Sequence, residues 1–225
     1  MGKTQIYLVR HCESKGNVSN RFMGHTDVEV TEGGLKQLEY LAERFKDIYL
    51  DKIYCSPLKR TVLTASAVNK YHGLELIRDE RFIEINLGDF ENVPMPQIIE
   101  TDPVNAHNWT YEPHLFDPPG GESMEAIYNR AFPSIQALAK ENPNKVIAVA
   151  THGCFVRNAL CRALGLPLSE INNVKWSNNT AVSLIEFSSD GSWDIVFMND
   201  LSHLPQEVID KMVYLPKVQR AEFEE

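Results

Sequence analysis

Short apolar runs alternate along this chain with segments of helical periodicity. Residues 4–9, 52–55 and 146–150 are dominated by apolar side chains and have the length of strands. Such runs are typical of strands that are covered on both faces, as in parallel sheets. Residues 31–45 instead carry apolar side chains at helical spacing and predict an amphipathic helix. Its predicted core face consists of Leu35, Leu38, Leu41, Ala42 and Phe45.

The second apolar run leads directly into another predicted helix. Ser56 is expected to be its N-cap, because a serine hydroxyl can accept a hydrogen bond from the first turn. Pro57 suits the first helical position, where no N–H donor is needed, and the helix is predicted to end near residue 71. The remaining predicted elements are helices near residues 123–141 and 155–164 and a hairpin of strands 181–187 and 193–198.

This alternation of strands and helices predicts the fold class. We expect an α/β protein with three layers, α/β/α, and a mostly parallel sheet. The whole chain, residues 1–225, is predicted to form a single domain. A cap is expected to be inserted at about residues 85–122, because this proline-rich segment leaves the regular alternation. The composition, with 43% hydrophobic and 24% charged residues, is that of an ordinary globular protein.

The negative charge of the chain is concentrated in the region of this cap. The formal net charge is −9, and residues 82–129 contain nine acidic residues and no Lys or Arg. A nucleic-acid partner is not expected, because proteins that bind nucleic acids present basic surfaces. The nine residues are Glu84, Asp89, Glu91, Glu100, Asp102, Glu112, Asp117, Glu122 and Glu125.

The sequence pattern is that of a cytoplasmic protein without a membrane partner. No apolar run approaches the roughly 18 residues that a membrane span requires, and the N-terminus lacks the pattern of a signal peptide. No pair of cysteines has CxxC spacing, so we expect free thiols rather than disulfides or a zinc site. The four cysteines are Cys12, Cys55, Cys154 and Cys161.

Cationic and imidazole side chains follow three of the predicted strands. The first strand ends in Arg10 and His11, the second feeds a helix that contains Arg60, and the 146–150 strand is followed by His152 and Gly153. Ligands bind beyond the carboxyl ends of parallel strands, so we expect these groups at one edge of the sheet. Two guanidinium groups and helix N-termini suit a phosphoryl group, whose oxygens accept charge-assisted hydrogen bonds.

A histidine in such surroundings has the properties of a nucleophile. Nearby guanidinium groups lower the pKa of an imidazole, and the neutral form carries the lone pair that attacks. The departing group then needs a proton, which a carboxylic acid held protonated by apolar neighbours can supply. Glu84, between Ile83 and Ile85, is the candidate for this acid, although its region is rich in other carboxylates.

Two other chemistries use the cysteine beside His11. A thiolate phosphatase needs an arginine six residues after its cysteine, and Val18 occupies that position after Cys12. A zinc site built from His11, Cys12, His152 and Cys154 has suitable ligand types. Adjacent residues rarely point at one ion, however, and two guanidinium groups would oppose a dication. We therefore expect no metal and no other cofactor.

The ordered motifs of the chain resemble the histidine phosphatase superfamily, also called phosphoglycerate mutase-like. The resemblance implies that His11 becomes phosphorylated, that Glu84 is the proton donor, and that no metal is required. It also implies a phosphate pocket with Arg10, Arg60 and His152, supported by Asn17, and we assign Ser14 and Gly153 to substrate binding as well. The family usually has glycine where this chain has Cys12. The matching segments are RHCESKGN (10–17), residues 20–34, SPLKRTVLTA (56–65), FIEINLGDFE (82–91), PGGES (119–123) and ATHG (150–153).

Within this family the sequence favours a phosphatase that acts on a small phosphorylated metabolite. A cofactor-dependent phosphoglycerate mutase is the alternative, but in mutases the inserted segment resembles a basic clamp, and here it has no cation. A catalytically silent phosphate-binding module is a further alternative. The acidic cap predicts a leaving group without negative charge. The aromatic and histidine side chains of the cap either contact this leaving group or only pack within the cap. The oligomeric state cannot be read from the sequence. The cap side chains considered are His107, Trp109, Tyr111, His114 and Phe116.

Overall fold

A six-stranded sheet forms the centre of the molecule. The computed structural model describes residues 2–19 and 21–212. The order of the strands across the sheet is β3-β2-β4-β1-β5-β6. The strands are β1 (Thr4–Arg10), β2 (Lys52–Cys55), β3 (Leu76–Arg78), β4 (Val146–Thr151), β5 (Val182–Phe187) and β6 (Trp193–Asp200).

The first four strands of this order are paired in parallel, and the last two strands are added by antiparallel pairing. Strand β1 pairs in parallel with β4, β4 with β2, and β2 with β3. Strand β5 pairs antiparallel with β1 and forms the predicted hairpin with β6. In the register of β1 and β4, Arg10 lies opposite Thr151. The residues that follow these two strands therefore emerge side by side at the carboxyl edge.

Helices cover both faces of the sheet, which confirms the predicted α/β fold. The described helices are α1 (Lys15–Val18), α2 (Glu32–Phe45), α3 (Lys59–Val68), α4 (Met95–Thr101), α5 (Pro103–Tyr111), α6 (Met124–Glu141), α7 (Gly153–Ala163) and α8 (Gln206–Ile209). Short 3-10 helices occupy Glu80–Phe82, Gly88–Phe90, Pro113–Leu115 and Leu168–Asn173. No helix in the described part of the chain has the length and apolar character needed to cross a membrane.

Alternating side chains of the strands build one core on each face. Ile6 and Leu8 of β1 pack with the buried side chains of α6 and α7. Val9 packs on the opposite face, with the buried side chains of α2 and α3. Each strand thus contributes apolar groups to both layers, as expected for a sheet that is covered twice. The central strands β1, β2, β4 and β5, which are mostly buried, support the carboxyl edge of the sheet.

The segment from 85 to 122, which we call the cap, packs beside the loop that follows β1. Phe22 of that loop exchanges backbone hydrogen bonds with Val93 and Asn92 of the cap. Its ring lies 4.9 Å from the ring of Trp109. An aromatic cluster therefore joins the cap to the loop after β1 and to the segment after α7. Its members are Phe22, Phe90, Trp109, Phe116 and Trp176.

The differences from the sequence prediction include the starts of two helices and one strand. Helix α3 begins at Lys59, with Leu58 as its N-cap, rather than at Pro57. The Ser56 hydroxyl instead lies 2.8 Å from Nε2 of His152, so a tertiary contact replaces the expected cap. Helix α7 begins at Gly153, two residues earlier than predicted. The short edge strand β3 was missed, because three residues carry no periodic signal.

Candidate active site

His11 lies directly after β1 and is held in one orientation by its backbone and its ring. Its N–H donates to the carbonyl of Thr151 over 2.8 Å. Its Nδ1 lies 2.6 Å from the carbonyl oxygen of Cys12. A carbonyl can only accept, so Nδ1 must carry the proton in this geometry. The lone pair of the neutral ring is therefore on Nε2, the nitrogen that is available for attack.

The surroundings of His11 favour its neutral form. Burial, followed by the positive charges of Arg60 and Arg10, lowers the pKa of His11 well below its ordinary value. The hydrogen bond to the Cys12 carbonyl acts in the opposite direction. An imidazole with this balance remains unprotonated at neutral pH and below. The electrostatic requirement for a histidine nucleophile is thus met by the protein itself.

Arg10 lies under the site with part of its guanidinium group unpaired. Its Nη1 donates to the carbonyl of Ser177, and its Nε is buried without a hydrogen-bond partner among the described residues. Burial lowers the pKa of Arg10 to about 10, which leaves it charged at neutral pH. Gly153 leaves room for the guanidinium group, because a Cβ there would lie 3.1 Å from Nε of Arg10.

Arg60 enters the site from the first turn of α3 and is only 2% exposed. Its Nη1 and Nη2 donate to the carbonyl oxygens of Thr26 and Gly24, at 3.0 and 2.6 Å. Burial lowers its pKa, against the opposing charge of Glu84. Within the described residues, neither Arg60 nor Arg10 forms a salt bridge with a carboxylate. Arg60 is thus buried and Arg10 partly buried, both without a paired counter-ion, as a site for an anion requires.

His152 stands at the N-cap position of α7 and is fully buried. Its ring centroid lies 5.4 Å from that of His11. Its Nε2 contacts the Ser56 hydroxyl, whereas its Nδ1 has no hydrogen-bond partner among the described residues. Burial, followed by the charge of Arg60 and the other nearby basic groups, lowers the pKa of His152 well below its ordinary value. We call the side chains of Arg10, His11, Arg60 and His152 the phosphate pocket.

The Glu84 carboxyl group is buried, but its contacts are polar rather than the apolar ones expected from its isoleucine neighbours. Its Oε1 accepts hydrogen bonds from the N–H groups of Ile85 and Phe155, both over 3.0 Å. Its Oε2 accepts one from Cys154 over 3.1 Å. The N-terminus of α7 therefore donates to Glu84, and the N–H groups of residues 154 and 155 are not the phosphate donors that the sequence suggested.

Ser14 and Asn17 support the turn that follows His11. Asn17 Oδ1 accepts from the N–H and the hydroxyl of Ser14, at 2.9 and 3.0 Å. It also accepts from Nδ2 of Asn179, which lies 3.3 Å away. The same Asn179 nitrogen donates to the carbonyl of His11 over 2.9 Å. These amides therefore connect the turn after β1 to the segment that precedes β5.

The thiols beside the two histidines belong to the cores rather than to the phosphate pocket. Cys12 is fully buried among the side chains of α2 and α3, and burial raises the pKa of its thiol to about 11. Its backbone has no positive φ, so replacing the usual glycine causes no strain there. Cys154 contacts Met124 on the other face, and burial raises its pKa as well. Neither thiol has the properties of a reactive cysteine.

Three functional candidates escaped the sequence analysis. Ser56 contacts His152, Asn179 holds the carbonyl of His11, and Glu91 binds the loop that carries the acceptors of Arg60. The contact of Asn179 with the carbonyl of His11 spans 168 residues, which the local sequence pattern does not show. Ser56 and Glu91 lie within segments that match the family, but their partners are distant in sequence, so the sequence does not show their roles.

The arrangement suits transfer of a phosphoryl group to a histidine. The neutral ring of His11 lies within reach of the positive charges of Arg60 and Arg10, where a phosphate would provide the missing negative charge. Residues 2–19 and 21–212 contain no group of three or more His, Cys, Asp or Glu side chains arranged to hold a metal ion.

Comparison with known proteins agrees with this chemistry. Residues 6–201 match the model of the histidine phosphatase superfamily, branch 1. Phosphoserine phosphatase 1 of Hydrogenobacter thermophilus is 35% identical over 184 residues, which cover 80% of this chain and 85% of that protein. Phosphoglycerate mutase-like protein 4 of Arabidopsis thaliana is 29% identical, with 90% and 87% coverage. The solved structure of Bacillus stearothermophilus YhfR is 30% identical, with a TM-score of 0.85 and 89% and 98% coverage.

Proposed function

Because the chain belongs to the histidine phosphatase superfamily, branch 1, we propose that it hydrolyses a small phosphorylated metabolite through a phosphohistidine at His11. Membership confirms the resemblance and the enzyme class expected from the motifs. The roles of individual residues are our proposal, as are the treatment of residues 1–225 as a single domain and a location in the cytoplasm.

One observation carries this function more than any other. The ring of His11 donates its Nδ1 proton to a carbonyl, so that its Nε2 lone pair is free within the phosphate pocket. Two buried nitrogens of the same pocket, Arg10 Nε and His152 Nδ1, have no hydrogen-bond partner in the described structure. Native proteins rarely leave such groups unpaired. A bound phosphoryl group would satisfy both while its phosphorus faces His11.

The proposed reaction has two steps. Nε2 of His11 attacks the phosphorus, the bond to the leaving oxygen breaks, and Glu84 gives that oxygen a proton. Oε2 of Glu84 accepts a single N–H hydrogen bond and so retains a lone pair that can carry this proton. Water then attacks the phosphohistidine, Glu84 takes a proton from the water, and His11 leaves as a neutral imidazole with inorganic phosphate as the product.

The cap supports a phosphatase rather than a mutase. A mutase must hold a second anionic group, and residues 85–122 contain no Lys or Arg that could pair with it. Arg21, which lies next to the cap, donates to the carbonyl of Asn92. The similar protein from Hydrogenobacter thermophilus is named a phosphatase, whereas the Arabidopsis protein is named mutase-like. We therefore place this chain in the phosphatase branch.

The cap also bears on the choice of substrate. Phe116 is buried and Trp109 packs in the aromatic cluster, so these rings support the cap. His107 lies on the surface near Glu112. We propose that selection against negative charge remains, and that monophosphates with an uncharged leaving group react faster than 3-phosphoglycerate. The name of the Hydrogenobacter relative contains phosphoserine as the substrate. Phosphoserine carries an ammonium group, which acidic side chains can attract.

A panel of phosphate esters tests the proposal. We expect hydrolysis of p-nitrophenyl phosphate and of one or more monophosphorylated metabolites, with little conversion of 3-phosphoglycerate to 2-phosphoglycerate. The His11→Ala protein, purified in the same way, provides the blank for contaminating phosphatases. Turnover by the mutase assay alone would assign the chain to the mutase alternative. Binding of phosphate without any turnover would assign it to the silent binding module.

A further inference from the structure

Glu91 is a carboxylate of the cap that binds backbone rather than a cation. It accepts hydrogen bonds from the N–H groups of Gly24, His25 and Thr26, at 3.2, 2.7 and 3.0 Å. The Thr26 hydroxyl and the N–H of Leu87 donate to it as well. Burial alone would raise the pKa of Glu91, but these hydrogen bonds hold it below the ordinary value. A single side chain thus gathers three successive N–H groups of one turn.

The same turn supplies both carbonyl acceptors of Arg60. Nη2 and Nη1 of Arg60 donate to Gly24 and Thr26, the first and last residues of the turn. The N–H of His25 and the carbonyl of Gly24 belong to one planar peptide group, so the hydrogen bond from His25 to Glu91 also fixes where the Gly24 carbonyl points. Gly24 is required for this close fit, since a Cβ there would lie 2.1 Å from the carbonyl oxygen of Ile85 and 2.5 Å from Oε1 of Glu91.

The turn is also attached to the backbone of the proposed proton donor. Nε2 of His25 lies 2.9 Å from the carbonyl oxygen of Glu84, so this nitrogen donates. Glu91 therefore binds a turn that accepts hydrogen bonds from the guanidinium group of Arg60 and donates one to the backbone of Glu84. Its own carboxylate is committed to the N–H groups of the turn.

We propose that Glu91 is a positioning residue, which orients Arg60 for the phosphoryl group by organising the turn formed by Gly24, His25 and Thr26. This inference rests on the proposed function, because it assigns Arg60 to phosphate binding. A glutamine at position 91 keeps one carbonyl oxygen but turns an NH₂ group toward N–H donors. The turn then loses hydrogen bonds, and Arg60 loses the fixed direction of its acceptors.

A double-mutant cycle tests this role with p-nitrophenyl phosphate as substrate and inorganic phosphate as competitive inhibitor. Glu91→Gln is expected to lower kcat/KM by about 10²-fold, the scale of a misplaced catalytic group, and to weaken inhibition by phosphate. In an Arg60→Lys background the same change should alter kcat/KM by less than about threefold, because the group that it positions is absent. Where turnover is too slow, calorimetric binding of inorganic phosphate completes the cycle.

Asp51→Asn is the matched control. Asp51 also accepts a backbone N–H, from Val146 over 2.9 Å, but at the opposite edge of the sheet. Asp51→Asn should lose about as much thermal stability as Glu91→Gln. Its activity should be that of the wild type. If Glu91→Gln does not fold, Thr26→Val, which removes one hydrogen bond to Glu91, replaces it in the same cycle.

The outcomes separate two failures. Losses that multiply in the double variant, or wild-type activity in Glu91→Gln, would overturn the positioning role while the phosphatase function stands. If the wild-type protein hydrolyses no ester, the proposed function fails first. A positioning role requires a loss in Glu91→Gln that shrinks when Arg60 is already changed.

Discussion

The phosphate pocket carries positive charge and the cap carries negative charge, and the two regions differ in the partners of their charged side chains. In the pocket, Arg60 is buried and Arg10 is partly buried, and both donate only to carbonyl groups among the described residues. In the cap, carboxylates such as Asp102 and Glu122 either cap a helix or pair with a neighbour, Arg130 in the case of Glu122. The pocket therefore lacks a negative partner that a phosphoryl group can supply. These two carboxylates have partners within the protein, and the cap has no Lys or Arg with which to bind a second anionic group.

Removing the two histidines of the pocket should have the largest effect. His11→Ala is expected to abolish turnover, because only His11 forms the covalent bond. His152→Ala should retain activity lowered by about 10²–10³-fold in kcat, the loss typical of removing one group that stabilises a transition state. Steady-state kinetics with p-nitrophenyl phosphate measures both. Residual activity in His11→Ala as high as that in His152→Ala would mean that His11 is not the covalent nucleophile.

The charge of the substrate probes the cap. We expect kcat/KM for a monophosphate with an uncharged leaving group to exceed that for 3-phosphoglycerate by about tenfold, which corresponds to about 1.4 kcal/mol. Because this preference comes from exposed carboxylates, raising the ionic strength should reduce it. A preference for 3-phosphoglycerate, or one that does not respond to salt, would show that cations outside the cap bind the leaving group.

The two regions also differ in how far the sequence could predict them. Arg10, His11 and His152 directly follow apolar runs, and parallel strands bring their carboxyl ends to one edge. The local sequence pattern is therefore enough to predict that these three residues lie at the same edge of the sheet. Ser56 was interpreted as an N-cap, because its contact with His152 spans 96 residues and leaves no local trace. The partners of a polar side chain depend on tertiary packing, which periodicity does not contain.

The side-chain contacts of the cap are also difficult to predict from the sequence, because they depend on tertiary packing. Its acidic composition was evident, but Phe116 and Trp109 could equally have faced a ligand or each other. Their ring centroids lie 4.8 Å apart, and Phe22 of the loop after β1 packs against both rings, a contact that depends on tertiary packing. Glu91 was one of nine carboxylates in the sequence and differs from the others only through the turn that it binds.

Buried neutral histidines should make stability depend on pH. The pKa of His11 and His152 lies well below the ordinary value, and burial lowers that of His203 to about 4. Below about pH 6.5 the unfolded chain binds protons that the folded protein does not, so the free energy of unfolding falls as the pH falls. Each histidine contributes roughly 1 kcal/mol per pH unit in that range.

Urea denaturation at pH 7.5 and pH 5.5 measures this dependence. His203→Gln should flatten it without a change in the kinetic mechanism, since His203 contacts Arg44 and Thr180 rather than the pocket. Saturating inorganic phosphate should raise stability at both values. A stability that is unchanged or increases toward pH 5.5 would contradict the neutral state of the pocket histidines.

The smallest effect is expected at Cys12. Its thiol packs in the core and has a pKa raised to about 11, so Cys12→Ala should leave kcat/KM within about threefold of wild type. The cost in the free energy of unfolding should be about 1 kcal/mol, as for a modest loss of buried volume. Kinetics together with urea denaturation separates the two. Activity as low as that of His11→Ala in a folded variant would transfer the nucleophile to the thiol.

The central claim is that phosphate passes through Nε2 of His11, and trapping the covalent intermediate tests it most directly. Mixing the enzyme with a rapidly hydrolysed ester and quenching in alkali should give a phosphorylated protein, with the phosphate located on His11 by peptide mass spectrometry and lost on mild acid treatment. The His11→Ala protein should carry none. A phosphate that survives acid, that lies on another residue, or that persists in His11→Ala would contradict the account.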